Sequence, residues 1–594
     1  YFSYLSDPYA MDFTGGPGCE TGPIIPHPTK PNIIYGSCKG QYSVMNRKTG
    51  QSKPYWIGGQ SLYGNDGGDL IYRMQRVSPM ALSPHDPEVM YYGSQYLHRT
   101  RDLGVTWEKI SPDLTAFPPC CQGGSGEPIT RDVTGEEFYS TLYAIAESPL
   151  EAGVIWTGAN DGPFHVTRDD GKTWTNITPK DLPEGGRVAW IDASPHRKGS
   201  AYFAAYRYLL GDYHPYLYRT DDYGATWTLM TPGTNGIPAD WPTRVVREDP
   251  DREGLLYAGT EFGMFISFNN GMSWQSFQLN MPRVPINQIT IHNKDLIIAT
   301  QGRSFWVFDN LSPVQQLGEA PNPGVTALFE SRDGYRTRVG PDILGPTIDY
   351  YLPSEPPDDV TIEIVDANGA LVNSYSSASA AGRGGAGRGG RGGGRGGGRG
   401  GGRGQVAPNI DPAMMASREA AAPRPVVGRV TKDVGFNRFV WDVRHQNGLT
   451  MAPAEYEVRL KIGEAVLRSR FTVLIDPLIA EDGVTPADLQ EQFDHGVKMA
   501  ALVASVNQTV AQVTAAQQAA ANDAAKLAQV DAIADKLNTQ PIRYGRPGLQ
   551  AHIQYLSRLG LGVDQKVGRD ALERYAVLKA ELDQLIEEFN AIRR

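Results

Sequence analysis

A short turn motif recurs along the first half of the chain and restricts the possible folds more than any other feature. It reads Ser/Thr-x-Asp-x-Gly-x-Ser/Thr-Trp. Three complete copies and a fourth with Asn in place of Asp span residues 100–107, 167–174, 220–227 and 267–274. We expect the Asp to cap the backbone two residues further on, the Gly to take positive φ and the Trp to bury its ring. The motif therefore predicts a repeated β-hairpin turn.

Each copy belongs to a longer repeat unit. A unit has an apolar strand, a Ser-Pro or Asp-Pro turn, a second strand ending near Gly, a third strand, the motif and a fourth strand. Six units are visible, and they fit the roughly 40–50 residues of a four-stranded propeller blade plus insertions. Closing such sheets into a ring removes free strand edges. The repeat therefore predicts a mainly β fold with a β-propeller of six to seven blades over residues 1–320, and an open stack of sheets is the alternative.

The repeated turn also resembles a known family motif, the Asp-box (BNR) repeat of sialidase-like, sortilin-like and xyloglucanase-like β-propellers. In those families the box is a structural turn and not the active site. The resemblance therefore implies a fold more than a function. The resemblance implies that seven residues of the motif are structural and that their tryptophans lie in the core. They are Asp102, Trp107, Asp169, Trp174, Asp222, Trp227 and Trp274.

Two further regions follow the repeats. Residues 321–480 contain alternating apolar strands and predict an immunoglobulin-like β-sandwich. The segments 435–442 and 453–458 resemble the sandwich that follows the propeller in large secreted bacterial proteins of the glycosyl-hydrolase-like type. Residues 481–594 predict an α-helical bundle or hairpin, because apolar residues recur at helical spacing after a Thr-Pro start at 485–486. Its apolar stripe would pack the bundle or, alternatively, dock a partner or a second copy.

The predicted sandwich is interrupted by a Gly/Arg-rich insertion. Residues 381–405 are almost only Gly and Arg, and such a stretch cannot bury a core, so we expect a disordered insertion over 378–434. Similar tracts bind RNA in some proteins. Here the tract lacks interleaved aromatic residues and the chain carries a net charge of −10. A flexible loop is therefore favoured over nucleic-acid binding.

The start of the sequence and its cysteines suggest an extracellular location. The sequence begins at Tyr1 without Met, so we expect a processed or truncated product, with residues 1–25 supplying a closing strand or linking to another module. The pair Cys19 and Cys38 would form a disulfide in an oxidising compartment, whereas Cys120 and Cys121 would be either bridged or free. No apolar run is long enough for a membrane span. No metal-ligand spacing or cofactor motif is present. From the expected disulfide we predict a secreted or periplasmic protein.

Candidate site residues follow from the parity of four-stranded sheets. The turns between second and third strands and the connections between units should lie at one end, opposite the Ser-Pro turns and the repeated motif, and ligands favour such loop-rich ends. Asp161 and Glu261 lie in two of these turns. A carboxylate pair roughly 5–10 Å apart can perform acid/base cleavage of a glycosidic bond. The alternative is that both residues simply form their turns, as acidic residues beside Gly often do.

Several basic residues are expected at the same end. Arginines that converge there would hold a carboxylate or a sulfate, or else bridge neighbouring blades. The candidate ligand-binding residues are Arg76, Arg187, Arg207, His214, Arg244 and Arg303.

Three functions are consistent with these patterns. The first is a secreted or periplasmic propeller platform that binds a polymer or a protein partner. The second is a glycoside hydrolase acting on an extracellular polysaccharide through Asp161 and Glu261, and the third is a sortilin-like peptide-binding channel. The resemblance to xyloglucanase-like enzymes implies an active site between two propellers, with one catalytic aspartate from each. This sequence holds one predicted propeller. The Arg-Ile-Pro motif of sialidase-like enzymes is absent from the start of the sequence.

Overall fold

A computed structural model describes residues 2–4, 16–19, 22–122, 137–318, 324–337, 345–380, 427–542, 544–559 and 562–593. These residues form two compact units, the first up to residue 318 and the second from residue 324 onward. Strands are numbered β1 to β32 and helices α1 to α7 in chain order. We predicted a disordered insertion at 378–434. Most of it, residues 381–426, lies outside the described residues.

The first unit is built from six four-stranded antiparallel sheets in the described residues, and five of them use four consecutive strands. Sheet 1 comprises β2 (Ile24–Pro26), β3 (Ile33–Cys38), β4 (Gln41–Asn46) and β5 (Gln51–Trp56). Sheet 2 comprises β6 (Met80–Leu82), β7 (Met90–Gly93), β8 (Leu97–Thr100) and β9 (Glu108–Lys109). Sheet 3 comprises β10 (Leu142–Glu147), β11 (Ile155–Ala159), β12 (Phe164–Thr167) and β13 (Thr175–Asn176).

The remaining three sheets follow the same order. Sheet 4 comprises β14 (Arg187–Ala193), β15 (Ala201–Arg207), β16 (Asp212–Thr220) and β17 (Thr228–Leu229). Sheet 5 comprises β18 (Thr243–Glu248), β19 (Leu256–Thr260), β20 (Gly263–Ser267) and β21 (Gln275–Ser276). Sheet 6 comprises β22 (Ile286–His292), β23 (Asp295–Thr300), β24 (Phe305–Phe308) and β1 (Phe2–Tyr4), and α1 (Ser312–Gln316) follows it.

The amino-terminal strand completes the last sheet. Strand β1 pairs antiparallel with β24, with Phe2 opposite Phe308 and Tyr4 opposite Trp306. This agrees with the closing strand that was one of our two expectations for residues 1–25. The first strands of successive sheets contact one another from β6 through β10, β14 and β18 to β22. Such contacts are those expected between successive propeller blades.

The repeated motif forms a turn whose bonds differ in one respect from our expectation. We expected the Asp to cap the backbone two residues on, but Asp169 reaches four residues on. Its Oδ1 accepts the backbone N–H of Thr173 at 2.9 Å and its Oδ2 accepts the Thr173 hydroxyl at 2.7 Å. Asp170 and Gly171 both have positive φ, at +60° and +89°, as a type I′ hairpin turn requires. The sequence motif predicted positive φ only at the Gly.

These turns also join neighbouring sheets. Three indole N–H groups donate to a backbone carbonyl just after the preceding sheet: Trp174 to Ile110 at 2.9 Å, Trp227 to Ile177 at 2.6 Å and Trp274 to Met230 at 3.1 Å. A Cβ added at Gly224 would lie 2.6 Å from Cβ of Ile177, so the close approach of the two sheets requires glycine there. Trp274 is buried, whereas the other three tryptophans are half-buried at the boundary between sheets.

Two histidines join sheets at the same end, although the sequence analysis assigned them no role. His85 and His196 each follow a Ser-Pro turn. The Nε2 of His85 lies 2.7 Å from the carbonyl oxygen of Ser148, and the Nε2 of His196 lies 2.7 Å from that of Asp249. Because a carbonyl only accepts, each Nε2 carries the donated proton.

Acid should weaken the three turns that contain Asp. Hydrogen bonds from Thr173 lower the pKa of Asp169 to about 2, and the equivalent threonines lower the pKa of Asp102 and of Asp222, the latter against the opposing effect of burial. A lowered folded-state pKa means that the stabilisation is present above the ordinary pKa near 3.8 and is lost as the pH falls through the folded-state value. We therefore expect the melting temperature to fall between about pH 4 and pH 2.

The fourth turn provides the matched control for this prediction. Asn269 accepts the backbone N–H of Ser273 at 3.0 Å and donates to its hydroxyl at 2.9 Å, so an amide fits the turn. A variant with Asp102→Asn, Asp169→Asn and Asp222→Asn should show a flatter melting temperature over this pH range, measured by circular dichroism. Parallel acid profiles of the variant and the wild type would contradict the assignment.

The second unit begins with two packed sheets. One has the order β25 (Ala327–Leu328), β27 (Thr347–Leu352) and β30 (Gly435–Val440). The other has the order β26 (Gly334–Arg336), β32 (Ala465–Ile475), β31 (Glu455–Ile462), β28 (Val360–Asp366) and β29 (Leu371–Ser376). One buried core takes side chains from both sheets, which makes the pair a β-sandwich. It includes Ile348, Phe439, Val458 and Phe471, together with Trp441 directly after β30. Its relation to the immunoglobulin fold stays a prediction.

Helices complete the second unit. They are α2 (Ser377–Ala380), α3 (Pro477–Glu481), α4 (Pro486–Ala519), α5 (Ala524–Leu537), α6 (Leu549–Ser557) and α7 (Arg569–Arg593). Thr485 and Asp488 form a reciprocal capping box at the predicted start of α4. Helices α4 to α7 enclose a common apolar core. Oligomerisation through these helices stays a prediction, and among the described residues no helix has the length and apolarity of a membrane span.

A buried ion pair joins the sandwich to the helical region within the second unit. Arg336 at the end of β26 donates to both carboxylate oxygens of Asp564, at 2.7 and 3.2 Å, and both side chains are 2% exposed. The same guanidinium donates to the amide oxygen of Gln492 on α4 and to the carbonyl of Met451. All its bonds therefore connect elements that are distant in sequence.

All four cysteines of the chain are paired. Cys19 is bonded to Cys38, as predicted, and Cys120 is bonded to Cys121, which was one of the two alternatives for that pair.

Candidate functional site

The first strands of four sheets bulge at the same position. The pairing register shifts once in each of β10, β14, β18 and β22, which leaves Tyr143, Ala189, Arg244 and Asn287 as the extra residues. Bulges often re-aim a side chain beside a functional site. The bulges lie at the end of the sheets opposite the tryptophan turns, because each lies near the start of a first strand. Arg244 and Asn287 meet there, with Nη1 donating to Oδ1 at 3.1 Å.

Two of the predicted ligand-binding arginines lie among tyrosines at this end. We call this set the arginine–tyrosine belt: Tyr143, Arg187, Tyr206, Tyr208 and Arg244. The Arg187 guanidinium lies 4.6 Å from the Tyr143 ring centre and donates to the Tyr206 hydroxyl at 3.0 Å. The Arg244 guanidinium lies 5.3 Å from the Tyr206 ring and donates to the Tyr208 hydroxyl at 3.2 Å. Burial raises the pKa of Tyr143 and of Tyr208, so both are neutral hydroxyl donors.

Glu261 is joined to this belt. Its Oε1 accepts Nε of Arg244 at 2.5 Å, and both side chains are less than one-fifth exposed. The backbone N–H of Glu261 donates to the carbonyl of Pro242, which fixes the turn between β19 and β20. The predicted catalytic carboxylate and one predicted ligand-binding arginine are therefore partners of each other.

Asp161, the other predicted catalytic carboxylate, has a different set of partners. It is 3% exposed, and its Oδ2 accepts the backbone N–H groups of Ala116 and Phe117, each at 3.0 Å. Burial raises the pKa of Asp161, against the opposing effect of hydrogen bonds from Ser140 and these backbone groups. No hydrogen bond or ion pair among the described residues joins Asp161 to Glu261.

The remaining basic candidates are dispersed. Arg76 is half-buried ahead of β6, and Arg303 is exposed and donates to the carbonyl of its neighbour Gly302 at 2.9 Å. Arg207 donates to Asp212 at 2.8 Å. His214 lies beside the same carboxylate, with its Nδ1 2.8 Å from Oδ1 of Asp212. The structure thus brings Arg187 and Arg244 together, and separately Arg207 and His214.

Two spaces open near these groups. A small one of about 20 Å³ is bounded by Arg187, Tyr206 and Arg207 among others, and it has room for about one water molecule. A larger open groove of about 630 Å³ is lined by residues 211–214, Tyr216, Ala239 and Asp240. We call the larger space the sheet 4 groove. Its volume lies within the roughly 300–1,000 Å³ range of small-molecule sites.

Sequence reasoning missed several residues of this end. The tyrosines Tyr143, Tyr206 and Tyr208 were not candidates, because aromatic residues in strands first suggest core positions. The partnership of Arg244 with Glu261 follows from the observed register, in which Thr243 pairs with Thr260 and the bulge places Arg244 next to Glu261. No group of three or more metal-ligating side chains occurs in the described parts of the chain.

Comparison with known proteins gives matches to xyloglucanases. The chain is 23% identical over 244 residues to the oligoxyloglucan-reducing end-specific xyloglucanase of Emericella nidulans, which covers 40% of this chain and 26% of that protein. It is 24% identical over 240 residues to the probable oligoxyloglucan-reducing end-specific xyloglucanase of Neosartorya fischeri, covering 39% and 25%. The chain thus spans about a quarter of the length of these relatives. No protein-family model matches it.

Solved structures give weaker matches. The GH74 enzyme of Niastella koreensis has a TM-score of 0.34 with 14% identity, and the GH74 xyloglucanase of Xanthomonas campestris has a TM-score of 0.34 with 16% identity. Each match covers 55% of this chain and 50% of the other.

Proposed function

We propose that the first unit is a six-bladed β-propeller that recognises an extracellular polysaccharide and contributes to its hydrolysis. The observation that carries this proposal is the similarity to two xyloglucanases over about two-fifths of the chain. The two disulfides suit an oxidising compartment and support a secreted location. The turns around Asp102, Asp169 and Asp222 would be Asp-box turns that hold the blades together.

The geometry suggests how two carboxylates would divide the chemistry. Glycosidases need one protonated carboxylic acid and one ionised carboxylate that acts as base or nucleophile. The protein keeps the two groups in these different states by shifting their pKa values apart. Burial raises the pKa of Asp161, which suits a general acid. Glu261 is paired with Arg244, which suits the anionic partner. Tyr208, which is half-buried, would then supply a hydroxyl group to the sugar.

A second candidate is a platform that binds the polysaccharide without cleaving it. The observation that favours it is the environment of Asp161, which is 3% exposed and already accepts two backbone N–H groups. A carboxylate used in this way can serve solely to hold the loop that contains Ala116 and Phe117. In that case the belt would bind sugar, and turnover would be absent.

One experiment tests both candidates. The full chain is incubated with xyloglucan and other β-glucans, and the release of reducing ends is compared among the wild type, Asp161→Asn, Glu261→Gln and the control Asp583→Asn, which alters an exposed carboxylate on α7. If the first candidate is right, each site variant lowers kcat by about 10²–10⁴-fold, and the control does not change it. Melting temperatures verify that the variants are folded.

The other outcomes separate the candidates. Binding of a glucan by the wild type with no release of reducing ends would support the platform. If the wild type neither binds nor hydrolyses any polysaccharide, the proposed function is refuted. Full activity in both site variants would retain the function and remove Asp161 and Glu261 from its mechanism.

A further inference from the structure

In sheet 4 the connection between the second and third strands lies at the tip of a long hairpin. Strand β15 ends at Arg207, a short 3₁₀ turn spans Tyr208–Leu210, and Gly211 with φ of +76° starts the return into β16. The two strands that carry this connection are longer than those of sheets 3 and 5. Strands β15 and β16 have 7 and 9 residues, whereas β11 and β12 have 5 and 4, and β19 and β20 have 5 each. Insertions at one end of a repeat array often build the binding face. This connection forms the sheet 4 groove together with Ala239 and Asp240 from the segment between sheets 4 and 5.

One side chain of the groove is held in a fixed orientation. Asp212 accepts Nε of Arg207 and the Tyr216 hydroxyl on Oδ2, each at 2.8 Å. Its Oδ1 accepts the backbone N–H of His214 at 3.1 Å and lies 2.8 Å from the ring Nδ1 of the same residue. With the Nδ1 proton directed at the carboxylate, Nε2 of the neutral ring is a hydrogen-bond acceptor. The His214 side chain is 70% exposed, so this acceptor is accessible from solvent.

The rest of the groove offers a carboxylate and an aromatic surface. Asp240 is exposed, and among the described residues no hydrogen bond or ion pair engages its side chain. Tyr213 is 55% exposed in the same groove. Next to Asp240 in the chain, the Trp241 ring packs 5.3 Å from the ring of Phe262, which is 45% exposed. Aromatic side chains with one wet face are typical of binding surfaces for amphipathic ligands.

We propose that the sheet 4 groove is a saccharide subsite that selects neutral sugars with vicinal hydroxyl groups. The Tyr213 ring stacks on the apolar face of a sugar ring, while Nε2 of His214 and the Asp240 carboxylate accept its hydroxyl protons. Acidic sugars are disfavoured because the exposed Asp240 carboxylate repels a second carboxylate. This inference rests on the proposed function, and it adds the site, its residues and the charge of the ligand.

The test is calorimetric titration of the full chain with two oligosaccharides of equal length, the neutral cellohexaose and the acidic hexagalacturonate. Tyr213→Ala and Asp240→Asn are compared with Tyr555→Ala, which removes an exposed tyrosine from α6. We expect binding of the neutral ligand only. Loss of the stacked ring or of the carboxylate should raise Kd roughly three- to tenfold, with Tyr555→Ala unchanged. On a cleaved glucan the same variants should raise KM and keep kcat.

Each of the remaining outcomes rejects a defined part of this proposal. If the wild type binds cellohexaose and both groove variants bind it equally well, the subsite is wrong and the proposed function stands. Tighter binding of hexagalacturonate than of cellohexaose overturns the charge selection on which the subsite rests. If the wild type binds neither these ligands nor any polysaccharide, the subsite and the proposed function fall together.

Discussion

Replacing Arg336 by Ala is expected to lower the free energy of unfolding of the second unit by about 3–5 kcal/mol. The reason is that the carboxylate of Asp564, which is 2% exposed, would lose its ion pair with the Arg336 guanidinium in the interior. The amide oxygen of Gln492 and the carbonyl of Met451 would also lose a donor. The loss should appear in urea unfolding followed through the helical signal of α4 to α7.

Two controls identify the origin of this loss. Arg569→Ala breaks an exposed pair with Glu573 on α7, where the side chains are 88% and 59% exposed, and should cost under about 0.5 kcal/mol. Replacing both partners, as in Arg336→Met with Asp564→Leu, should recover much of the stability, because both buried charges are then removed together. A double variant less stable than Arg336→Ala would show that packing, and not the stranded charge, dominates.

Trp274→Ala should destabilise the first unit by about 3–5 kcal/mol, the range for a large aromatic residue removed from a core. The indole is 4% exposed and packs with Leu217, Met230 and Phe265 between sheets 4 and 5. Its Nε1 also donates to the Met230 carbonyl at 3.1 Å. Thermal unfolding of the full chain, followed by tryptophan fluorescence and circular dichroism, measures the effect.

A pair of milder substitutions separates packing from hydrogen bonding in this prediction. Trp274→Phe retains a ring but removes the donor to Met230, and we expect a loss of about 1 kcal/mol from the hydrogen bond, in addition to the change in volume. The indole nitrogen of Trp107 has no acceptor among the described residues, so Trp107→Phe should lose only the packing part. Equal losses in the two Phe variants would contradict a role for the Met230 bond.

The local turns were predictable from the sequence, and the long-range pairings were not. The motif around Asp169 predicted a hairpin turn because its bonds lie within seven residues. It did not predict the contact of Trp174 with Ile110, since a motif carries no information about its neighbour in space. The Arg336–Asp564 pair is separated by 228 residues, and neither residue lies in a pattern that indicates burial.

The candidate site was predictable to a similar extent. Parity placed Asp161, Glu261 and the arginines at one end of the sheets, because it depends only on strand order. It did not give their partners, which depend on bulges at Tyr143 and Arg244 that a sequence pattern does not show. Of the two carboxylates, Asp161 holds a loop and Glu261 joins the belt.

The pairing of β1 with β24 has a consequence for how the chain is made. Residues 2–4 leave the ribosome about 300 residues before residues 305–308, with which they share a sheet. At roughly 5–20 residues per second this amounts to about 15–60 s of waiting. Throughout that interval the strand has no place in a sheet. Protection of nascent chains from one another should therefore raise the yield of folded protein.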